Sequence, residues 1–440
     1  MYLRKLAIEN VKAFSQAEFD FAQGDANGLA GWTVLVGGNA SGKSTVLKLI
    51  ALALMGPTQG RVALRNPEGW IRNDQPSGRA RVELEFAPSV DLWRGQDPTT
   101  TLPPGMPLAA GVEWLEFPYQ SGGPSFDAIE DWTDWREDGP WNPNGRGWFC
   151  CGYGPWRRLS GSSADAARDA VAPGALRRHV TLFREDASLA EAEAWLREHQ
   201  FKMLEQGGPE SDAGQFLALV RSIVNDGLLP AGFVLQDITS EHVYVVREGL
   251  RLPLRDVSDG CRSVLALVLD LLRHLADCYG IQMLRQAHRE GTIALPGVVL
   301  IDEVEAHLHP RWQRELPEWL TRHFPALQFI VTTHSPLIAQ SADRDGIFVL
   351  PMPDEGDRTP RKLSSAECDA IRLGRADHTL LGAAFGLGST RSLAAERETL
   401  RYQALASKRR ALALSEGESA EYETLRTALQ NQFSAEDRMG

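Results

Sequence analysis

The chain has 440 residues, 43% hydrophobic and 24% charged, ordinary values for a globular protein that exclude a fibrous chain, a disordered chain and a small disulfide scaffold. Its 46 basic and 58 acidic residues give a net charge of −12, which argues against coating nucleic acid along the whole surface; DNA or RNA contact would need a local basic patch, a groove between two copies or a partner. No apolar run is long enough to span a membrane, the opening MYLRKLAIENVKAF is too polar for a signal peptide, and the five cysteines form neither a disulfide framework nor a CxxC pair, so a cytoplasmic chain with reduced thiols is expected.

RKLAIENVKAFSQAEFDF alternates apolar and polar residues and predicts two strands around a turn at Asn10 to Lys12. Trp32 to Val36 is an apolar, β-branched run ending at Gly37, as a buried central strand does. A helix is predicted from about Lys43, with Val46, Leu47, Ile50, Ala51 and Leu54 as its buried stripe. RVALRN and RARVELEFAP return to strand pattern and complete a first lobe over residues 1–92.

Residues 93–156 hold seven of the twelve tryptophans, many prolines and glycines, and an acidic run from Asp127 to Asp138. They read as an insertion of short strands and loops whose tryptophans serve as packing anchors or as an interaction surface. Residues 157–250 read as a helical lobe closing in a hairpin, VLQDITSEHVYVVREG. Residues 251–350 alternate helix (Gly260 to Asp277), strand (Gly297 to Ile301), helix (Arg311 to Arg322) and strand (Ala326 to Thr332). The tail, 351–440, carries two polar helices, the second with an apolar stripe at Tyr422, Leu425, Leu429 and Phe433.

Gly37, Gly38, Asn39, Ala40, Ser41, Gly42, Lys43 and Ser44 satisfy GxxxxGK[ST] between a predicted strand and a predicted helix, with Thr45 next. Glycines let successive backbone N–H groups turn toward phosphate oxygens, and the helix N-terminus adds its dipole. Lys43 brings a point charge to the β/γ-phosphates, and the Ser44 hydroxyl is a ligand for Mg²⁺; the expected ligand is ATP.

VVLIDE, Val298 to Glu303, is an apolar strand ending in two acids, costly unless they meet charge. Asp302 suits Mg²⁺ held through water and Glu303 suits the general base for an attacking water; the alternative is a strand end paired with a lysine. FIVTTHSP places His334 at the end of a second buried strand, where it can sense the γ-phosphate or be a satisfied core histidine. His307 and His309 have HxH spacing, but no third ligand for a metal is evident. In VSDGCR, Ser258 or Asp259 could simply cap the apolar helix that follows.

Taken together, IENVKAF, GGNASGKST, VSDG, LIDE and TTHSP resemble the ABC-type ATPases of the SMC, RecF and OLD group. YGPWRRLSG, SDGCRSVLALVLDLL, DEVEAHLHPRWQRELPEWL and AFGLGSTRS narrow the resemblance to stand-alone, PtuA-like AAA-type defence ATPases, over nearly the whole chain except the insertion. The resemblance implies an α/β fold, an ABC-type P-loop ATPase head with a mixed sheet, the insertion, a helical lobe and a helical tail. It makes Ser258 and Gly260 the signature that one copy presents to the nucleotide of another, giving a head-to-tail homodimer joined by ATP. Asn39 would help place the γ-phosphate, Gln75 would join the Mg²⁺ shell or be a surface residue, and Glu305 to His309 would signal across the dimer. Lys12 would approach the adenine or ribose. Val257 and Asp259 depart from the usual signature.

The role of Tyr153 to Arg158 does not follow from the residues: the arginines could touch nucleotide or DNA, or pair with the acidic run. Arg157/Arg158, Arg177/Arg178 and Lys408/Arg409/Arg410 could line a DNA surface or be solvated helix faces. No nuclease cluster follows TTHSP, so a nuclease or toxin partner would act in trans. The expected function is an ATPase driving a DNA-directed defence process. The alternative is a slow-turnover scaffold that holds a toxic effector inactive; a transporter motor fits worse, with no membrane partner in the chain.

Overall fold

The alternating start folds as β1 (Tyr2–Val11) and β2 (Phe14–Asp20), antiparallel around a turn where Asn10 and Lys12 adopt left-handed φ of 51° and 49°. The computed structural model describes residues 1–22, 28–29, 31–73, 75–91, 108–115, 125–129, 139–142, 147–159, 161–229, 232–352, 359–382, 384–411 and 413–436, with backbone alone at 108–110, 115 and 429–436. Trp93, Trp132, Trp135 and the acidic run beyond Ile129 lie outside these residues, as do the side chains of Leu429 and Phe433.

β3 (Gly31–Val36) leads through the glycine-rich loop into α1 (Lys43–Leu64). The strand expected at RVALRN is instead the last turn of α1. The helix kinks at Gly56 (φ 70°) and resumes with Pro57, whose missing N–H costs little at the start of a helical segment. β4 (Ser77–Glu85), β5 (Leu108–Leu115) and β6 (Ser125–Ala128) join the first two strands in an antiparallel sheet ordered β2-β1-β4-β5-β6. Ala80, Val82 and Leu84 of β4 point inward in alternation, and Leu3, Leu6, Ile8 and Val11 of β1 do so with breaks at a register shift after Leu3 and at the left-handed Asn10, leaving the other face wet.

β7 (Cys150–Tyr153) precedes a helical stretch of α2 (Ala164–Ala170), α3 (Val180–Phe183), α4 (Ala190–Glu205) and α5 (Asp212–Val224). The predicted hairpin becomes a three-stranded sheet of β8 (Val234–Ile238), β9 (Val243–Arg247) and β10 (Leu250–Pro253). Next come α6 (Asp259–Tyr279), α7 (Ile281–Ala287), the small hairpin β11 (His288–Arg289) and β12 (Thr292–Ile293), then β13 (Gly297–Ile301), α8 (Pro310–His323), β14 (Leu327–Thr333), α9 (Pro336–Ala339), β15 (Ile347–Val349), β16 (Arg361–Lys362) and α10 (Ser365–Leu373).

The second large sheet runs β16-β15-β3-β14-β13-β7, parallel except for the β15–β16 pair. Every residue of β7, β13 and β14 is buried, the signature of parallel strands covered on both faces. Each buried Val, Leu, Ile or Phe there contributes about 1.5–3 kcal/mol. The register aligns the strand ends: Val36 lies opposite Thr333, Ile301 opposite Val331, and Tyr153 opposite Ile301. The segments that leave β3, β7, β13 and β14 therefore emerge at one edge, where parallel α/β sheets hold their ligands.

The chain folds as two compact units, Met1–Ala376 and Asp377–Gly440. α11 (Ala376–Leu381) spans that boundary; the second unit is dominated by α12 (Leu393–Arg410) and α13 (Glu416–Glu436). Arg401–Glu421 and Lys408–Glu418 ion pairs and the stacked Tyr402 and Tyr422 rings hold the last two helices antiparallel. No helix of the described residues is long and apolar enough to cross a membrane.

Candidate functional site

The loop after β3 has the backbone its sequence demands. Ala40 and Gly42 take left-handed φ of 61° and 96°, and Gly42 forms the N-cap of α1. A Cβ on Gly42 would come within 2.6 Å of the buried Phe14 ring, so only glycine satisfies both the dihedral and the packing. Gly42→Ala is expected to destabilise the fold by about 1–3 kcal/mol, seen as a lower Tm in thermal unfolding, and to weaken nucleotide binding by reshaping the turn.

Asn39 and Ala40 are exposed, Gly37, Gly38, Ser44 and Thr45 half-buried, and Ser41 buried, its Oγ with no hydrogen-bond partner. Lys43 is 7% exposed, and its Nζ donates to the carbonyls of Gly37 (2.9 Å) and Gly38 (2.8 Å). Burial lowers its pKa from the usual lysine value, while the negative charges of Asp302, Glu303 and Glu305 oppose that shift. The orphaned Ser41 hydroxyl, the glycine turn and the buried ammonium suit a polyphosphate.

Across β14, Asp302 follows β13 and is buried, with Oδ1 accepting from the Thr332 hydroxyl at 2.6 Å. The same hydroxyl oxygen accepts from the Glu303 N–H at 2.8 Å, so one threonine orders both acids. Glu303 is exposed and has a left-handed φ of 45°. Glu305 accepts from the Thr333 hydroxyl at 2.7 Å and from the His334 N–H at 2.5 Å. The His334 pKa lies below the ordinary histidine value, first through loss of solvation and then through the Lys43 charge, so the ring is neutral at pH 7. Lys43, Asp302, Glu303, Glu305 and His334 thus share one electrostatic neighbourhood, with Asp302 and Ser44 as oxygen donors suited to Mg²⁺.

The remaining candidates have neighbours of their own. Gln75 is half-buried in the turn before β4, its N–H donating to Arg72 O at 3.1 Å, and no hydrogen bond among the described residues joins it to the acids. Ser258 occupies the N-cap position of α6 without a side-chain cap bond; Ser258 and Asp259 are exposed, and Asp259 pairs with Arg262. A Cβ on Gly260 would meet His307 O at 2.7 Å, so the α6 N-terminus packs against the segment that follows the two acids. His309 caps α8, and His307 packs on Trp156 with ring centroids 6.2 Å apart; no group of three His, Cys, Asp or Glu among the described residues is placed to hold a metal ion. The Lys12 ammonium rests 4.2 Å from the centre of the Trp70 ring.

Most of the basic clusters are engaged internally. Arg158 donates to Glu185 O at 2.6 Å, Arg177 pairs with Asp277 at 3.5 Å, and Arg178 lies over Phe149. Lys408 pairs with Glu418, and Arg409 with Glu423 and the Tyr422 ring. Arg157 is buried and makes four bonds to backbone carbonyls. Arg157 was singled out for nucleotide, DNA or the acidic run and instead holds the backbone of the acids, and Thr332 was not legible as a site residue; the available clue to Thr332 was a hydroxyl in a buried strand, which needs a partner.

A family model described as "AAA domain, putative AbiEii toxin, Type IV TA system" matches residues 169–339, and a second, described as an AAA domain, matches residues 5–89. The Septu protein PtuA of Bacillus mycoides (strain KBAB4) is 24% identical over 76% of this chain and 38% of its own length. The Retron Vc95 probable ATPase of Vibrio cholerae serotype O1 biovar El Tor is 33% identical over 24% of this chain and 19% of its own. The chain therefore spans about two-fifths or less of these relatives. Among solved structures, the SMC head bound to the C-winged helix domain of ScpA covers 83% of this chain and is itself covered over 99%, at 15% identity and a TM-score of 0.48. The AAA matches and the two relatives bear out the resemblance to PtuA-like AAA-type ATPases, and the parallel sheet with its phosphate loop has the expected α/β class.

Proposed function

We propose that this chain binds ATP with Mg²⁺ and hydrolyses it, that two copies close head to tail over the nucleotide, and that the cycle drives or controls a DNA-directed defence process in the cytoplasm with a nuclease acting in trans. The observation that carries the reading is the meeting of Lys43 with Asp302, Glu303, Glu305 and His334 at one edge of the parallel sheet.

In this reading the loop N–H groups and Lys43 hold the phosphates, while Ser44 and Asp302 supply oxygens to the metal, with Gln75 a further candidate for that shell. Bound Mg²⁺ neutralises phosphate charge and polarises the phosphoryl oxygens. Glu303, exposed at the mouth, accepts the proton of the attacking water, and neutral His334 offers a hydrogen bond to the phosphate edge. The exposed N-terminus of α6, with Ser258 and Gly260, is available to a second copy, whose nucleotide it would meet with its helix dipole.

The DNA-directed part rests on the resemblance alone, since most of the basic side chains singled out for it have internal partners. Phosphate release by the purified chain with Mg²⁺, and small-angle scattering with a non-hydrolysable ATP analogue, test the core. The expected results are turnover and a doubling of mass with the analogue. A mass that stays at one chain rejects the shared site, and tight binding without turnover supports the scaffold reading instead.

A further inference from the structure

The segment Tyr153-Gly154-Pro155-Trp156-Arg157 leaves β7 beside the two acids, and its arginine turns back beneath them. Gly154 has no room for a side chain: a Cβ there would lie 2.1 Å from Thr181 O, so the turn sits tight against α3. The Arg157 guanidinium is fully buried, with Nη1 donating to Gly154 O (3.0 Å) and Asp302 O (3.0 Å) and Nη2 donating to Glu303 O (3.1 Å) and Val304 O (3.2 Å). Burial lowers its pKa to about 10, and the nearby charges of Glu305, Asp302 and Glu303 oppose that shift, so the group remains protonated at neutral pH.

The N–H groups of the same three residues are held from the other side. Asp302 N–H donates to Tyr153 O at 2.8 Å, Glu303 N–H to Thr332 Oγ1 at 2.8 Å, and Val304 N–H to Thr332 O at 3.1 Å. Three consecutive residues thereby have both their N–H and their carbonyl held, and the middle one is Glu303 in its left-handed conformation. A residue with a Cβ keeps such a φ when its surroundings over-determine it. A guanidinium suits this task because its planar fork offers five donors, whereas a lysine ammonium offers three from one point.

We propose that Arg157 is a positioning residue for hydrolysis: its guanidinium clamps the carbonyls of residues 302–304 and so sets the direction in which Asp302 and Glu303 present their carboxylates. The clamp acts through the backbone of the acids. It rests on the reading of Glu303 as the base.

The test uses Arg157→Lys and Arg157→Gln in the full chain; the first keeps the charge and loses the fork, and the second keeps one donor group and loses the charge. For a variant that folds, affinity for a fluorescent ATP analogue should stay within about threefold of the parent while kcat falls at least about tenfold, the split expected when a transition-state contact is misplaced. In the nucleotide-free protein, amide exchange should quicken at Glu303 to Glu305 while β13 and β14 stay protected. Unchanged kcat and exchange overturn the proposal. So does a parallel loss of affinity, kcat and protection across the sheet, or a failure of both variants to fold, since Arg157 would then serve the fold alone. A parent chain with no turnover would instead defeat the hydrolysis reading, and the exchange measurement, which needs no nucleotide, would still decide the clamp.

Discussion

Glu303→Gln is expected to bind ATP with near-native affinity and to turn it over at least about 10²-fold more slowly, the range that a general base contributes. The substitution keeps the side chain's size, and the bonds that hold this residue's backbone, from its N–H to Thr332 and from Arg157 to its carbonyl, do not involve the carboxylate. The side chain is exposed, so no buried charge is left without a partner and stability should change little. Binding without cleavage should also hold two copies together, visible as a dimer at equilibrium with ATP and Mg²⁺. Phosphate release at the parent rate would remove Glu303 from the role of base.

Lys43→Ala should lower ATP affinity by at least about 10²-fold, since two or more charge-assisted hydrogen bonds of roughly 1.5–3 kcal/mol each are lost. The ammonium is almost buried, bridges the Gly37 and Gly38 carbonyls, and lies within the electrostatic influence of Asp302, Glu303 and Glu305. Its removal leaves two carbonyls short of a donor and concentrates negative charge where a polyphosphate would bind. Both effects oppose binding. Relief of the desolvation that lowers the Lys43 pKa acts in favour of the variant's fold, so the melting temperature should move less than the affinity. Calorimetric titration, with circular dichroism to check the fold, makes the measurement; unchanged affinity would reject the loop as the phosphate site.

The strand expected at RVALRN and the hairpin expected at VLQDITSEHVYVVREG changed in the structure, and the basic run at Lys408 and Arg409, still a solvated face, found partners there. RVALRN alternates like a strand, yet it continues α1 because Pro57 restarts the helix after the Gly56 kink. Lys408 and Arg409 look like free cations in a basic run, but the turn after α12 brings Glu418 and Glu423 of α13 against them. Local pattern describes the side chains a segment carries. It does not say which segment will face them.

The residues by themselves determined the strand, glycine turn and helix that contain Lys43, the two acids that end an apolar strand, and His334 after another, because each depends on spacing within a few residues and on the cost of leaving charge at the end of a buried strand. Only the tertiary structure decided that these ends meet. The order β15-β3-β14-β13-β7 and the register between those strands put Thr332 under both acids and carry Arg157 beneath the carbonyl of Asp302, 145 residues away in the chain. Hydrogen bonds of that range are set by which strands pair, and the pairing is chosen by burial summed over the whole core.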